Sequence, residues 1–147
     1  MSVLIAIDQG TTSTRTVAFD KDLNIIHSEQ KEYPLIYPND GWVEIAPEEL
    51  MSSVYETIDP VIEACSDISA IGITNQRETT LVWDADSGEP IYNAIVWQDR
   101  RTAEQCMQLK KAGHEEAIKN ATGLLLDPYF SSTKISWILD NVDGARK

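Results

Sequence analysis

Cysteine is scarce in this 147-residue chain, which has only Cys65 and Cys106 and no C-x-x-C pair. Two cysteines are too few for a disulfide framework, so we expect buried thiols in a reducing compartment. Long apolar runs are also missing, and the first short one, at residues 3–7, lacks the basic residues that open a signal peptide. These absences predict a cytoplasmic protein that does not insert into a membrane.

Positive charge is in short supply, because 12 Lys and Arg residues face 24 Asp and Glu residues, for a formal net charge of −12. Such an acidic chain repels nucleic acid and anionic membranes, and no local basic stripe offsets the imbalance. Neither GxxxxGK[ST] nor GxGxxG occurs, which excludes a P-loop and a dinucleotide-binding fingerprint. The two histidines have no metal-ligand spacing, and no GxSxG supports a serine hydrolase.

The first third of the chain alternates apolar and polar residues, which predicts strands near residues 3–8, 14–20 and 24–33. A helix should begin at Pro47 and suffer a kink or break at Asp59, because Pro60 lies inside its pattern. Residues 68–74 are typical of a buried strand, and residues 79–83 and 91–97 of two more around a hairpin. The apolar face predicted for the helix consists of Leu50, Val54, Ile58, Val61, Ile62 and Cys65.

After Arg100 the pattern becomes helical, with Gly113 and Gly123 as expected stops. A last helix should begin at Ser131 or Ser132 and bury four apolar side chains, namely Ile135, Ile138, Leu139 and Val142. The order of the elements predicts an α/β fold, with a mixed sheet that starts as a β-meander and has flanking helices.

A polar turn between the first two predicted strands is the strongest candidate for chemistry. An apolar run delivers Asp8 to a Gly and hydroxyl segment, and Arg15 follows in the next run. The amides of residues 10–13 and the hydroxyls of residues 11–14 are typical of a phosphate cradle, with Asp8 available to Mg²⁺. The same composition also suits a hairpin turn without a ligand.

A second candidate segment follows the predicted strand 68–74, where α/β sheets commonly bind ligands. Its neighbouring Arg77 and Glu78 offer a donor fork and an acceptor, which together suit the vicinal hydroxyls of a small polyol. A solvated turn with a local ion pair explains the same residues equally well. Trp97 ends a later strand, and Tyr129 lies in a Pro-containing loop. Each of these rings suits either a polyol contact or simple packing.

Four segments together resemble the FGGY family of carbohydrate kinases, and within it the members that phosphorylate glycerol. They are Asp8-Gln9-Gly10-Thr11-Thr12-Ser13, residues 72–80 with Asn75-Gln76-Arg77-Glu78-Thr79, Trp97-Gln98-Asp99-Arg100-Arg101, and Asp127-Pro128-Tyr129-Phe130. The resemblance implies an actin-like, ribonuclease-H-like fold of two domains closing around ATP and glycerol. Residues 1–147 would then be an incomplete amino-terminal domain, with the second domain absent.

The resemblance also implies a role for each matching residue. Asp8 would serve Mg²⁺, directly or through water, and the phosphates of ATP would contact Thr11, Thr12, Ser13 and Arg15. The glycerol pocket would be lined by Arg77, Glu78, Trp97 and Tyr129. The family's catalytic base would lie beyond Lys147, so we expect the isolated chain to be inactive.

Two other interpretations remain open. The chain is alternatively a non-catalytic binding or assembly module derived from the half-domain, which would self-associate through surface left uncovered. It is otherwise a kinase for a related sugar or polyol, although the segment from Asn75 to Thr79 favours glycerol.

Overall fold

The computed structural model describes residues 2–147, which fall into two compact units. The strands are β1 Val3–Gln9, β2 Ser13–Phe19, β3 Ile25–Glu32, β4 Glu44–Ile45, β5 Ile68–Thr74 and β6 Ala94–Ile95. The helices are α1 Pro47–Ala64, α2 Ala103–Lys111, α3 Glu115–Thr122 and α4 Ser131–Asn141. The first unit spans residues up to 35 together with residues 46–76, and the second spans residues 36–45 and 77–147.

The first unit is a four-stranded mixed sheet in the order β3-β2-β1-β5, with α1 packed on it. Strands β1, β2 and β3 form the predicted antiparallel meander, and β5 runs parallel to β1. The core lies between sheet and helix, where Val61 of α1 meets β1 and β2. The buried members contributed by the strands are Val3, Ile5, Ile7 and Ala18.

Part of the interface between α1 and β2 is polar, which the apolar pattern did not predict. The hydroxyls of Thr14 and Ser53 lie 2.7 Å apart, and Thr16 Oγ1 donates to Thr57 Oγ1 at 2.9 Å. All four side chains are buried. Ile62, expected on this face, is instead 39% exposed.

Of two predictions about the first unit, one is wrong in part and the other is wrong. The predicted kink or break at Asp59 is not a break, because helix α1 continues through Pro60, with the buried Thr57 and Val61 on either side of the proline holding it against the sheet. Strand β5 exists but is not buried, since Ile73 is 74% exposed and Ile71 47%. It lies at the end of the sheet order, while α1 covers the meander strands.

The second unit has little sheet structure. The two-residue strands β4 and β6 pair antiparallel, and Thr80 bridges to Ile95. Strands over residues 79–83 and 91–97 were predicted, yet the hairpin is reduced to that bridge and one between Trp83 and Pro90. Pro90 has no N–H to donate, so it limits the ladder.

The helices of the second unit largely follow the prediction. Gly113 and Gly123 have φ of 85° and 75°, and they follow α2 and α3 as helix stops. Helix α4 begins at Ser131 and buries Ile138, but Ile135 is 40% exposed. Thr133 and Lys134 are buried instead. None of the helices in the described part of the chain is long and apolar enough to cross a membrane.

Candidate functional site

The turn between β1 and β2 is tight, and its first amide is already used. The N–H of Gly10 donates to the carbonyl of Ser13 at 3.0 Å. A Cβ on Gly10 would lie 3.1 Å from that same oxygen, so the close approach favours glycine. The prediction that the Gly10 amide belongs to a phosphate cradle is therefore wrong for this conformation. The hydroxyl of Thr14 is also turned away, because it faces Ser53 in the buried interface.

The remaining candidates of the first unit lie on or near the exposed end of β1. Asp8 and Arg15 are both exposed and are register partners across β1 and β2. Because opposed residues of an antiparallel pair project to the same face, carboxylate and guanidinium share one surface. Arg15 Nε donates to Ser28 Oγ at 3.2 Å, and Ser13 Oγ accepts from Gln30 at 3.1 Å. Thr12 is exposed, and Thr11 is half-buried.

A buried polar network supports this turn from below. Tyr33 donates its hydroxyl hydrogen to the carbonyl of Gly10 and accepts from Gln9 Nε2 at 2.9 Å and Gln76 Nε2 at 3.1 Å. Gln76 Nε2 also donates to Gln9 Oε1 at 3.0 Å. Burial raises the pKa of Tyr33, so the phenol stays protonated near neutral pH. The network connects the turn to the end of β5, where Thr74 is the register partner of Asp8.

In the second unit, Glu78 is held in an unusual backbone conformation. Its φ is 63°, in the left-handed region that residues other than glycine rarely adopt. Its carboxylate Oε2 accepts from the backbone N–H of Ser131 at 2.9 Å and from Ser131 Oγ at 2.7 Å. Glu78 therefore caps the N-terminus of α4 from a distant part of the chain, where a carboxylate is favoured. It also lines a cavity of about 200 Å³ with Asp127 and Phe130.

Trp97 and Tyr129 lie beside each other, with ring centroids 5.7 Å apart and an interplanar angle of 60°. Both are half-buried. Glu78 lies two residues before Thr80, which forms an isolated antiparallel bridge with Ile95. Tyr129 is fixed by its own N–H, which donates to Asp127 Oδ1 at 2.9 Å. Two of the four predicted polyol residues are thus neighbours, while Arg77 precedes Glu78 with its side chain exposed.

Lys134 joins two of these residues through their backbones. Its Nζ donates to the carbonyl of Glu78 at 2.5 Å and to that of Tyr129 at 2.8 Å. The residue is 0% exposed. Burial lowers the pKa of Lys134 to about 8, although the charge of Glu78 acts in the opposite direction. An apolar helix pattern gives no signal for such a lysine, and the sequence interpretation missed it.

A second buried charge cluster underlies the segment that ends in Trp97. Arg101 donates to Asp99 Oδ1 at 3.0 Å, to Asp99 Oδ2 at 2.9 Å and to Glu44 Oε1 at 2.7 Å. Its guanidinium lies 4.0 Å from the ring centroid of Trp42 and 4.5 Å from that of Trp137. Burial alone would lower the pKa of Arg101, but these hydrogen bonds raise it. Asp99 is followed by two arginines in the sequence, but the sequence gives no signal that Asp99 and Arg101 are buried together.

Comparison with known proteins identifies the family. Residues 3–147 match the family model described as "FGGY family of carbohydrate kinases, N-terminal domain". The chain is 54% identical over 148 residues to a glycerol kinase of Xanthomonas campestris, covering 98% of this chain and 30% of that protein. The chain thus spans about 30% of the length of the curated relatives it matches.

Solved structures agree with the sequence comparison. Plasmodium falciparum glycerol kinase with ADP superposes with a TM-score of 0.92 at 36% identity, covering 99% of this chain and 30% of that one. A ligand-bound xylulose kinase from Lactobacillus acidophilus gives 0.89 at 27% identity, covering 96% and 29%. The predicted actin-like, ribonuclease-H-like α/β fold is confirmed. The chain belongs to the FGGY family of carbohydrate kinases and corresponds to the amino-terminal region of its members.

Proposed function

We propose that this chain supplies polyol and phosphate contacts to an ATP-dependent glycerol kinase, which transfers the γ-phosphoryl group of ATP to a primary hydroxyl of glycerol. The product would be glycerol 3-phosphate. The observation that carries the proposal links three residues expected to contact glycerol. The ring of Tyr129 lies beside that of Trp97, and Lys134 donates to the backbone carbonyls of both Tyr129 and Glu78. A carboxylate and two aromatic rings together suit a molecule with hydroxyls on a short carbon skeleton.

The polyol end of the proposal follows from the contacts of Glu78. Its Oε2 is occupied by Ser131, so Oε1 is the oxygen that would accept from a glycerol hydroxyl. The rings of Trp97 and Tyr129 would pack against the carbon skeleton, and the exposed Arg77 would add a second polar contact. These contacts would orient the hydroxyl, and positioning is a large part of catalysis of phosphoryl transfer.

The phosphate end of the proposal rests on the exposed end of β1. Thr11, Thr12, Ser13 and Arg15 would contact the phosphates of ATP, and the positive fork of Arg15 would offset the acidic character of the chain. Asp8 fits Mg²⁺ because it is an exposed carboxylate, and Mg²⁺ is commonly held by one or two carboxylates together with substrate phosphates. When bound, Mg²⁺ would neutralise charge on the phosphates.

Residues 2–147 contain no cluster of three or more His, Cys, Asp or Glu side chains arranged to hold a metal ion. Mg²⁺ commonly keeps several waters and is held by one or two carboxylates together with substrate phosphates, so we expect nucleotide and Mg²⁺ to bind together at Asp8. The same proposal puts the protein in the cytoplasm, where Cys65 and Cys106, which form no disulfide, remain reduced.

Calorimetric titration of the 147-residue chain with glycerol tests the polyol site. We expect saturable binding that Glu78→Gln weakens about tenfold, because a charge-assisted hydrogen bond is replaced by a neutral one. Gln98→Ala is the matched control, since Gln98 is exposed next to Trp97. Absence of glycerol binding, or equal affinity in Glu78→Gln, contradicts the proposal.

Parallel titrations with xylulose and gluconate separate glycerol from other substrates of this family. The solved relatives include a gluconate kinase and xylulose kinases, at 27% identity or less. Tighter binding of either compound than of glycerol would favour a related sugar kinase.

One observation favours a second candidate function, that of an assembly module. Strand β5 ends the sheet order, and Ile71 and Ile73 on it are 47% and 74% exposed. An exposed apolar edge strand is a template for pairing with another chain. Light scattering across concentrations decides between the two, because a defined oligomer without ligand binding would favour the module.

A further inference from the structure

Lys134 is a buried cation with unusual partners. It is fully buried on α4, yet its Nζ contacts two backbone carbonyls, those of Glu78 and Tyr129, at hydrogen-bond distance. Burying an ammonium group is unfavourable, and an apolar side chain of similar length would fill the same volume without that penalty. A role in packing alone does not account for a lysine here.

We propose that Lys134 is a positioning residue for the polyol site, fastening the backbone of Glu78 to that of Tyr129 and so setting the carboxylate against the aromatic ring. This proposal rests on the proposed function, because the polyol assignment of Glu78 and Tyr129 belongs to it. Lys134 itself contacts only their carbonyls and leaves both side chains available to a ligand.

The geometry of Glu78 shows why such a fastening matters. Its left-handed backbone, with φ of 63°, persists only where surrounding contacts hold it. Helix α4 provides two of those contacts, since Ser131 binds the carboxylate and Lys134 binds the carbonyl. Residues three apart lie on one face of a helix, so both contacts act from the same surface. Without Lys134, Glu78 would keep its side-chain contact with Ser131 and a long 3.5 Å bond from Thr80 Oγ1 to its carbonyl.

The charges around Lys134 make its protonation state consequential. The charged groups that face it are Glu78, Asp99 and Arg101. Burial lowers the pKa of Lys134 to about 8, so Lys134 loses its charge between pH 7 and 9.5.

The test compares glycerol affinity in three variants by calorimetry at pH 7. Lys134→Met removes the donors and keeps the length of the side chain, and Lys134→Arg keeps charge and donors. Lys119→Met is the matched control, because Lys119 is an exposed lysine of the same unit. We expect Lys134→Met to weaken glycerol binding about tenfold, Lys134→Arg to recover part of the loss and Lys119→Met to match the wild type.

A pH series is the readout that a merely structural lysine would not change. Glycerol affinity of the wild type should fall between pH 7 and 9.5, by less than for Lys134→Met, because the neutral amine keeps two N–H donors and loses only the charge that strengthens their hydrogen bonds, while the affinity of Lys134→Arg should stay level. The wild-type series alone decides the matter if a variant fails to fold. A wild-type affinity that is constant across this range, or an affinity in Lys134→Met equal to the wild type, overturns the proposal.

Failure of the proposed function is distinguishable from failure of this inference. If the wild type binds no glycerol, the polyol assignment fails, and amide hydrogen exchange then tests Lys134 directly. The Ser131 N–H, which donates to Glu78, should exchange faster in Lys134→Met than in the wild type or Lys119→Met. Equal exchange in all three would overturn the positioning role.

Discussion

Replacing Arg101 by methionine should destabilise the protein strongly. The Arg101 side chain is 0% exposed and contacts two carboxylates that are also buried, those of Asp99 and Glu44. Methionine keeps much of the aliphatic volume between Trp42 and Trp137 but removes the charge. The variant therefore leaves two negative groups buried without their cation.

The magnitude follows from these contacts. Removing one partner of a buried ion pair costs about 3–5 kcal/mol, because the remaining charge is left uncompensated. The lower part of that range applies here, since Asp99 still accepts from the backbone of Val43 and Glu44 still accepts from Tyr92 and Asn93. We expect the free energy of unfolding to fall by about 3 kcal/mol.

Urea unfolding followed by tryptophan fluorescence measures this loss, and Trp42 and Trp137 report directly on the site. The matched control is Arg100→Met, whose ion pair with Asp127 is 3.3 Å long and more than two-fifths exposed on both sides. That variant should lose no more than about 1 kcal/mol. If the free energies of unfolding of Arg101→Met and Arg100→Met differ by less than about 1 kcal/mol, the reasoning is refuted.

Other predictions concern separate parts of the molecule. Tyr33→Phe should lower the free energy of unfolding by about 2 kcal/mol in urea titrations, because buried amide and carbonyl groups lose their partner. Lys134 releases its proton near pH 8 in the folded chain but near 10.5 in the unfolded one. The contribution of Lys134 to the free energy of unfolding should therefore rise by about 3 kcal/mol between pH 8 and pH 10.5, and Lys134→Met should not show this rise. Lys31→Met should leave the thermal unfolding midpoint nearly unchanged, because Lys31 and its partner Glu56 are both exposed.

The sheet of the first unit was the most predictable part of the fold. Alternating residues in β1 and β2 identify strands because one face is buried on α1 and the other is exposed. The continuous apolar run of β5 predicted burial on both faces, which the structure does not show. A run of apolar residues identifies a strand, but its place in the sheet depends on pairing that periodicity does not encode.

Helix faces were predicted less well, for a different reason. Ser53 and Thr57 are buried on α1 because each finds a hydroxyl partner on β2, and Lys134 is buried on α4 because two carbonyls receive it. Hydrophobic periodicity predicts that such polar side chains are exposed. It therefore predicted burial for Ile62 and Ile135, which are exposed in the structure. Polar partners distant in sequence decide these positions.

The candidate site was predictable where residue type alone points to chemistry, as for Glu78, Trp97 and Tyr129. Their assembly depends on α4, which binds Glu78 through Ser131 and Lys134. No local pattern predicts a carboxylate that caps a helix 53 residues away in the chain. The Gly10 amide was wrongly predicted as a ligand donor because a turn can satisfy its own N–H groups.

The most direct test of the account is an NMR titration of the chain with glycerol, following the indole N–H signals of its four tryptophans. If Glu78, Trp97 and Tyr129 form the polyol site, the Trp97 signal shifts saturably while those of Trp42, Trp83 and Trp137 stay in place. A Trp97 signal that stays unchanged at saturating glycerol, or equal shifts of all four, would contradict it.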